Sequence, residues 1–323
     1  MPPPLRVGVI GVGHLGSRHA EIYAGMAGVT LVAVCDRLPE RAQELAQRLR
    51  CQAVTDYRQL IGQIDAASLA VPTSLHGAIG KALLSHGIHL LIEKPISRTL
   101  AQADALLRAA RRTGTTLQIG HVERFNAAIR AAMERLTHPR FIEVHRLSPY
   151  PFRGTDVSVV LDVMIHDLDL ILAAVPSRLK RVSAVGVSVL SRTEDLANAR
   201  LEFASGCVAN LTASRISDES VRRFRVFQED CYLSIDSKAQ AVEMARKAHG
   251  TIERVNLPVN QRPPLQDELA AFVRAVVSKR PAAVTGEDGR AALALALRIE
   301  ETMHCAAARG RLCFSPSLKR SEK

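Results

Sequence analysis

Short apolar runs alternate with amphipathic stretches along the first third of the chain. Residues 5–10, 30–35, 53–55, 66–71, 89–92 and 116–119 are apolar and rich in β-branched side chains, and each reads as a strand. Between them, 17–25, 39–49, 57–61, 76–86 and 100–113 carry apolar positions at helical spacing and read as helices. Strands and helices in strict alternation predict a parallel, doubly wound sheet over residues 1–120. Past residue 120 the rhythm changes. Residues 121–136 read as a connecting helix, 141–147 as a strand and 161–172 as a helix ended by Pro176. Six strand-like segments follow at 181–190, 197–203, 208–214, 223–228, 231–235 and 239–245, separated by short turns, and 264–279 and 289–309 close the chain as helices. The expected architecture is an α/β Rossmann domain over 1–120, then an α+β domain over 121–323 with a mostly antiparallel open sheet, its last helices able to pack back on the first domain.

One helix breaks the pattern. Residues 161–172 read LDVMIHDLDLIL. At about 100° per residue, Asp162, His166 and Asp169 fall on one narrow stripe, while Val163, Met164, Ile165, Leu168, Leu170, Ile171 and Leu172 cover most of the remaining circumference. Carboxylates and imidazoles are costly to bury unless they are paired or face a cavity, so the stripe is either a self-satisfied core cluster or a working site.

Composition narrows the classes without naming one. A chain of 323 residues, 47% hydrophobic and 23% charged, can bury two cores and is expected to be globular. The opening MPPPLRVGVIGVG lacks the layout of a secretory signal and no apolar run approaches the length of a bilayer crossing, so the expected location is cytoplasmic, with no membrane partner. Cysteines 35, 51, 207, 231, 305 and 313 show neither a CxxC pair nor zinc-ligand spacing; reduced thiols and no metal are expected. The net charge of +11 is spread, with 13 basic against 8 acidic residues in 1–120 and 30 against 24 thereafter, and aromatic residues make up only 4%. A nucleic-acid partner is therefore not expected, whereas an anionic small substrate is compatible.

The candidate chemistry starts at the first strand, which leads into Gly11-Val12-Gly13-His14-Leu15-Gly16. Gly11 permits the turn, Gly13 lets a pyrophosphate approach the backbone, and Gly16 lets the following helix pack on the strand, its first amides toward the phosphates. The second strand ends at Asp36, 20 residues past Gly16, where a carboxylate can accept from both adenosine ribose hydroxyls and repel a 2′-phosphate. This points to NAD over NADP, although Arg37 next door could accommodate that phosphate. Two further strand ends carry notable residues: Val71-Pro72-Thr73 with His76 a turn later, and Glu93-Lys94-Pro95. Lys94 stands before a proline, which restricts its main chain and leaves a cis bond open; it can hold a substrate hydroxyl, act in proton transfer, or pair with Glu93 as a surface lysine. Arg222, Arg223 and Arg225 read as a solvated strand face.

GxGxxG with Asp36, then Glu93-Lys94-Pro95, then Asp162 and His166 four apart on one helix, resembles the Gfo/Idh/MocA family of nicotinamide-dependent sugar oxidoreductases, and the likeness extends to LQDELAAFVRAV…PAAVTGEDGRAALALALRI near the chain end. It implies a dehydrogenase acting on a CH–OH group with NAD, Lys94 near the nicotinamide, and Asp162 and His166 facing the substrate. The glycine loop, Asp36, Arg37, Pro72, Thr73, His76, Glu93 and Lys94 are then expected around the cofactor. The sequence Val71-Pro72-Thr73-Ser74 departs from the T-P-N type common in the family, which leaves the roles of Thr73 and His76 open. Within the family, GHVERFNAAIRA and HRLSPYPFRGTDVSVVLDVMIHDLDLIL are most similar to enzymes that oxidise the C3 hydroxyl of UDP-N-acetylglucosamine for an aminotransferase on the way to lipid A or another surface glycan; Ala127 replaces a proline frequent there. Arg124, Asn126, Arg153, Thr155 and Asp156 are candidates for the diphosphate and sugar of such a substrate. The likeness also implies a homodimer or homotetramer. A dehydrogenase of another sugar or inositol, with NAD or NADP, and a non-catalytic NAD-binding sensor remain as alternatives.

Overall fold

A computed structural model describes residues 3–150, 157–248 and 250–313, with side chains through residue 305. The chain forms two compact units. The first takes residues 1–135, 240–242 and 257–294; the second takes 136–239, 243–256 and 295–323.

In the first unit the parallel strands β1 (Leu5–Ile10), β2 (Val29–Cys35), β3 (Gln52–Val54), β4 (Ala66–Leu69), β5 (His89–Glu93) and β6 (Leu117–Gly120) form one sheet in the order β3-β2-β1-β4-β5-β6. Helices α1 (His14–Ala24), α2 (Pro39–Leu49), α3 (Thr73–Ser85) and α4 (Leu100–Thr113) connect them. This order reverses direction between β1 and β4, and ligands of such sheets bind at the carboxyl ends of the strands flanking that point. The central strands β1, β4 and β5 are buried on both faces over most of their length, which is why they read as continuous apolar runs. Later in the chain, α7 (Pro264–Ser278) joins the same core: Leu269, Phe272 and Val276 pack with Val7, Val9, Tyr23 and Leu45. The connecting helix expected over 121–136 is broken. A tight turn spans Val122–Phe125, and Asn126, in extended backbone, accepts from the amide of Ala128 at 3.1 Å and starts α5 (Ala127–Met133) afresh.

The second unit is built on an eight-stranded sheet ordered β14-β13-β12-β11-β7-β10-β9-β8. Its strands are β7 (Phe141–Leu147), β8 (Leu179–Val187), β9 (Leu196–Phe203), β10 (Val208–Ser214), β11 (Val221–Phe227), β12 (Cys231–Asp236), β13 (Ala241–Ala248) and β14 (Thr251–Asn256). The pairings described are antiparallel except β7 with β10, which run parallel. Strand β14 was not expected: TIERVN is short, with only partial burial, so it lacks the apolar alternation that marks a half-buried strand. Alternate residues Ile142, Val144, Ala199, Leu201, Ala209 and Leu211 form the buried face, and helix α6 (Ile165–Ala174), buried over most of its length, belongs to this unit. Helix α8 (Gly286–Cys313) ends the described chain.

Candidate active site

The glycine turn has the form a dinucleotide requires. Gly11 adopts φ +86°, and a Cβ there would lie 2.6 Å from the carbonyl oxygen of Ala70. A Cβ on Gly16 would lie 1.8 Å from the oxygen of Gly11, so neither position admits a side chain. Around Gly13, by contrast, a Cβ would meet nothing within 4 Å, leaving the open cradle a pyrophosphate would fill. Helix α1 starts there with no side-chain cap, its first turn lined by the exposed His14 and Leu15. Asp36 spans the turn. Its Oδ2 accepts from the amide of Val12 at 2.9 Å and its Oδ1 from that of Leu38 at 3.0 Å, and each carboxylate oxygen keeps a further lone pair for a ribose hydroxyl. Arg37 is exposed beside it. These residues fit a nicotinamide dinucleotide.

At the end of β4, Pro72 precedes Thr73, the first residue of α3 and half-buried. His76 is turned inward, 1% exposed, with Nδ1 2.9 Å from the carbonyl of Pro95 and Nε2 2.9 Å from that of Val71. Burial pushes its pKa down, against the two carbonyls and Glu93, which pull it up. Each ring nitrogen faces a carbonyl oxygen, and the neutral ring donates to one of the two, so His76 sits between the chain ends that follow β4 and β5, and a place among the cofactor's ligands has no support in this geometry.

Strand β5 ends on Glu93 and leads into a half-buried Lys94, whose bond to Pro95 is cis. Glu93 Oε2 accepts from the Lys94 amide at 3.3 Å, and Oε1 lies 3.2 Å from Nε2 of His19 on α1. A Cβ on Gly120 would come within 2.9 Å of Glu93 Oε2, so the end of β6 is kept bare for this carboxylate. Of the residues expected to touch substrate in this unit, Arg124 is half-buried in the turn after β6, and Asn126 is buried and caps α5.

In the second unit the helix expected over 161–172 is two pieces. Val160–Met164 forms a π-helical turn, in which the amide of Ile165 donates to the carbonyl of Val160, and α6 follows. Wide turns of this kind inside helices are frequent at functional sites, and this one carries Asp162 and ends one residue before α6, where His166 stands second. Both are half-buried, and Asp169 is buried. Asp167, which no sequence motif marks, lies about 100° round the helix from His166. It forms a buried two-pronged pair with Arg146 of β7, Nε and Nη2 each 2.7 Å from a carboxylate oxygen, and so pins α6 to the sheet. Ser158 receives the amide of Leu161 on its Oγ and donates to Glu300. Arg215, fully buried, donates to Asp195 and to the carbonyl of Val157, and Asp195 also accepts the amides of Val189, Leu190 and Ser191. These groups hold the chain on either side of residue 158, and only a partner distant in sequence distinguishes them from surface polar residues. Arg153, Thr155 and Asp156 lie outside the described residues. Among the described residues no group of three or more His, Cys, Asp or Glu side chains could hold a metal, and no helix is long and apolar enough to cross a membrane.

A doubly wound sheet of this strand order, with a glycine turn and an acidic residue at the end of its second strand, followed by a mostly antiparallel sheet, defines a nicotinamide-dependent oxidoreductase. Residues 5–121 match the model described as oxidoreductase family, NAD-binding Rossmann fold, and 108–234 match the GFO/IDH/MocA C-terminal domain. A UDP-N-acetylglucosamine 3-dehydrogenase of Acidithiobacillus ferrooxidans is 38% identical over 304 residues, 91% of this chain and 96% of its own. Its crystal structure superposes with a TM-score of 0.89, covering 94% of this chain and 98% of that one. The myo-inositol 2-dehydrogenase of Thermotoga maritima is 27% identical over 93% of this chain and 96% of its own. The chain belongs to the Gfo/Idh/MocA family of dehydrogenases, with the NAD-binding fold of that family.

Proposed function

We propose that the protein oxidises the C3 hydroxyl of UDP-N-acetylglucosamine to the 3-keto nucleotide sugar, with NAD. The observation that carries the substrate is the 38% identity, over nearly the whole of both chains, to a dehydrogenase of that name, against 27% for an inositol dehydrogenase. The preference for NAD over its 2′-phosphorylated form rests on the Asp36 carboxylate beside Val12. Gly11, Gly13, Gly16, His14, Leu15, Asp36 and Thr73 hold the dinucleotide, which when bound accepts the hydride from the carbinol carbon. Loss of the hydroxyl proton is the task of this chain's own side chains. Lys94 and His166 hold the hydroxyl and take its proton, and Asp162 orients the imidazole or binds a sugar hydroxyl. Arg124, with Arg153, Thr155 and Asp156, supplies cationic and polar contacts for the diphosphate and sugar. The product suits an aminotransferase that converts the new ketone to a 3-amino sugar for lipid A or a surface glycan, and the working form is a homodimer or homotetramer, which light scattering would measure.

NADH formation followed with UDP-N-acetylglucosamine and with a panel of unphosphorylated sugars and inositols tests this reading. Turnover of the nucleotide sugar is expected, and activity confined to the panel would overturn it in favour of the inositol-type alternative. Lys94→Ala and His166→Asn are each expected to lower kcat by about 10²- to 10⁴-fold. Near-normal kcat in both would remove them from the chemistry.

A further inference from the structure

Helix α6 is apolar nearly all the way round. Ile165, Leu168, Leu170 and Ile171 are fully buried and fall at four well-separated angles about its axis. Hydrophobic burial is not directional, so it gives little preference for one rotational setting of this helix over the next. The π-helical turn ahead of it makes two settings available. In that turn the Ile165 amide reaches back five residues to Val160, whereas the Asp162 amide just before reaches back four, to the Ser158 carbonyl at 3.0 Å. The turn therefore holds one residue more than an α-helical turn. Closing it to the regular bond, Ile165 to Leu161, would rotate everything beyond by about 100°. The entering chain is fixed, because the Val159 amide donates to the Glu194 carbonyl at 2.9 Å and the Ser158 hydroxyl donates to Glu300. The rotation would thus fall on α6 and carry His166 to where Asp167 stands.

Asp167 opposes that rotation. Its two oxygens each receive a nitrogen of Arg146 at 2.7 Å, and both side chains are buried. Arg146 cannot follow the helix, since β7 is paired on one side with β10 and on the other with β11. A buried ion pair is weak evidence for stability, as well-packed apolar residues in its place often serve as well or better. What a two-pronged pair supplies is direction.

We infer that Arg146 and Asp167 are positioning residues that lock the wide turn open and so hold His166 in its working orientation. This rests on the reading of His166 as an active-site residue. Without the pair, the turn closes to the α-helical bond and the imidazole turns away from the substrate.

The double variant Arg146→Met/Asp167→Leu, in the full chain, separates direction from stability. It is expected to match or exceed the parent in Tm. Its crystal structure is expected to show the Ile165 amide on the Leu161 carbonyl, and retention of the bond to Val160 overturns the proposal. With the nucleotide sugar, kcat is expected to fall by about 10²-fold or more, toward the level of His166→Asn, while the Kd for NAD stays at the parental value. Added to His166→Asn, the same two substitutions are expected to lower kcat by no more than about threefold further, because the residue they act through is already gone. A parental kcat in the double variant, or a full further loss on top of His166→Asn, also overturns the proposal. Should the double variant fail to fold, Arg146→Lys, which keeps the charge without the planar fork, takes the same measurements. If the nucleotide sugar is not turned over, or His166→Asn alone leaves kcat unchanged, the proposed function fails, and the crystal structure still decides whether the pair sets the turn.

Discussion

Asp36 shows what a single side chain can and cannot tell. Its position 20 residues past Gly16 marks it in the sequence as a ribose ligand, and the structure adds that the same carboxylate ties the Val12 amide and the Leu38 amide together. Replacing it removes two supports of the turn as well as the contacts proposed for the ribose. Hydrogen bonds to a charged group are each worth about 1.5–3 kcal/mol, so Asp36→Ala is expected to raise the Kd for NAD by at least about tenfold and to narrow the preference over the 2′-phosphorylated cofactor. Fluorescence titration with both reduced dinucleotides would measure this, and an unchanged ratio would disconnect Asp36 from the ribose. His76 lies at the other extreme. The sequence places it near the right strand end, but not which way its ring turns, because that depends on the carbonyls of Val71 and Pro95 meeting it from two sides. Glu93 stands out in the sequence within Glu93-Lys94-Pro95, but its buried neighbours His19 and Glu268 are illegible for the same reason: each is unremarkable among its own neighbours, and only the packing of α1 and α7 brings them to it.

At the scale of elements, legibility follows how local the cause is. The bounds of α2, α4, β7 and β10 match the expected ranges, since propensity, Pro39 at the start of α2 and left-handed Gly114 after α4 all act within a few residues. The helix carrying Asp162 and His166 is where periodicity misleads. A stripe drawn at 3.6 residues per turn assumes a uniform helix, whereas the π-helical turn at Val160–Met164 winds wider and shifts Asp162 relative to His166. The chain entering that turn is held by Ser158, whose Oγ accepts from the Leu161 amide and donates a hydrogen bond to Glu300, a carboxyl that burial lifts above its ordinary range. Ser158→Ala removes both bonds, and loss of a helix-capping hydroxyl costs about 1 kcal/mol. A fall in Tm is expected, with kcat falling more than the change in KM if the turn sets the placement of Asp162; a Tm shift without any kinetic effect would confine Ser158 to stability. Gly16 is a harder constraint. A methyl group there would overlap the oxygen of Gly11, so Gly16→Ala must push α1 off the turn, and loss of measurable NAD binding is expected from calorimetric titration.

Across the whole molecule, the two units carry buried charges whose response to pH is opposite in sign. In the second unit, burial alone would raise Asp195, but Ser191 and the amides of Val189, Leu190 and Ser191 hold it far below its ordinary 3.8, so it contributes stability that persists above that value and is lost only in strong acid. In the first unit, Glu268 is raised above 4.5 by burial and by Glu93. The folded state therefore holds a proton that the unfolded chain releases, and the stability Glu268 contributes is complete below pH 4.5 and drains away as pH rises toward its folded value. Glutamine at 268 stays neutral at every pH and is close in shape. Glu268→Gln is thus expected to match or trail the parent near pH 5 and to gain on it steadily up to pH 8, a difference that differential scanning calorimetry would read as a widening gap in Tm. Where the scan resolves two transitions, only that of the first unit should move, because residue 268 lies within it and Asp195 within the other. A gap in Tm that stays constant from pH 5 to pH 8 would mean that Glu268 is ionised in the folded protein, and Glu93 would no longer be the only charged member of that buried pair.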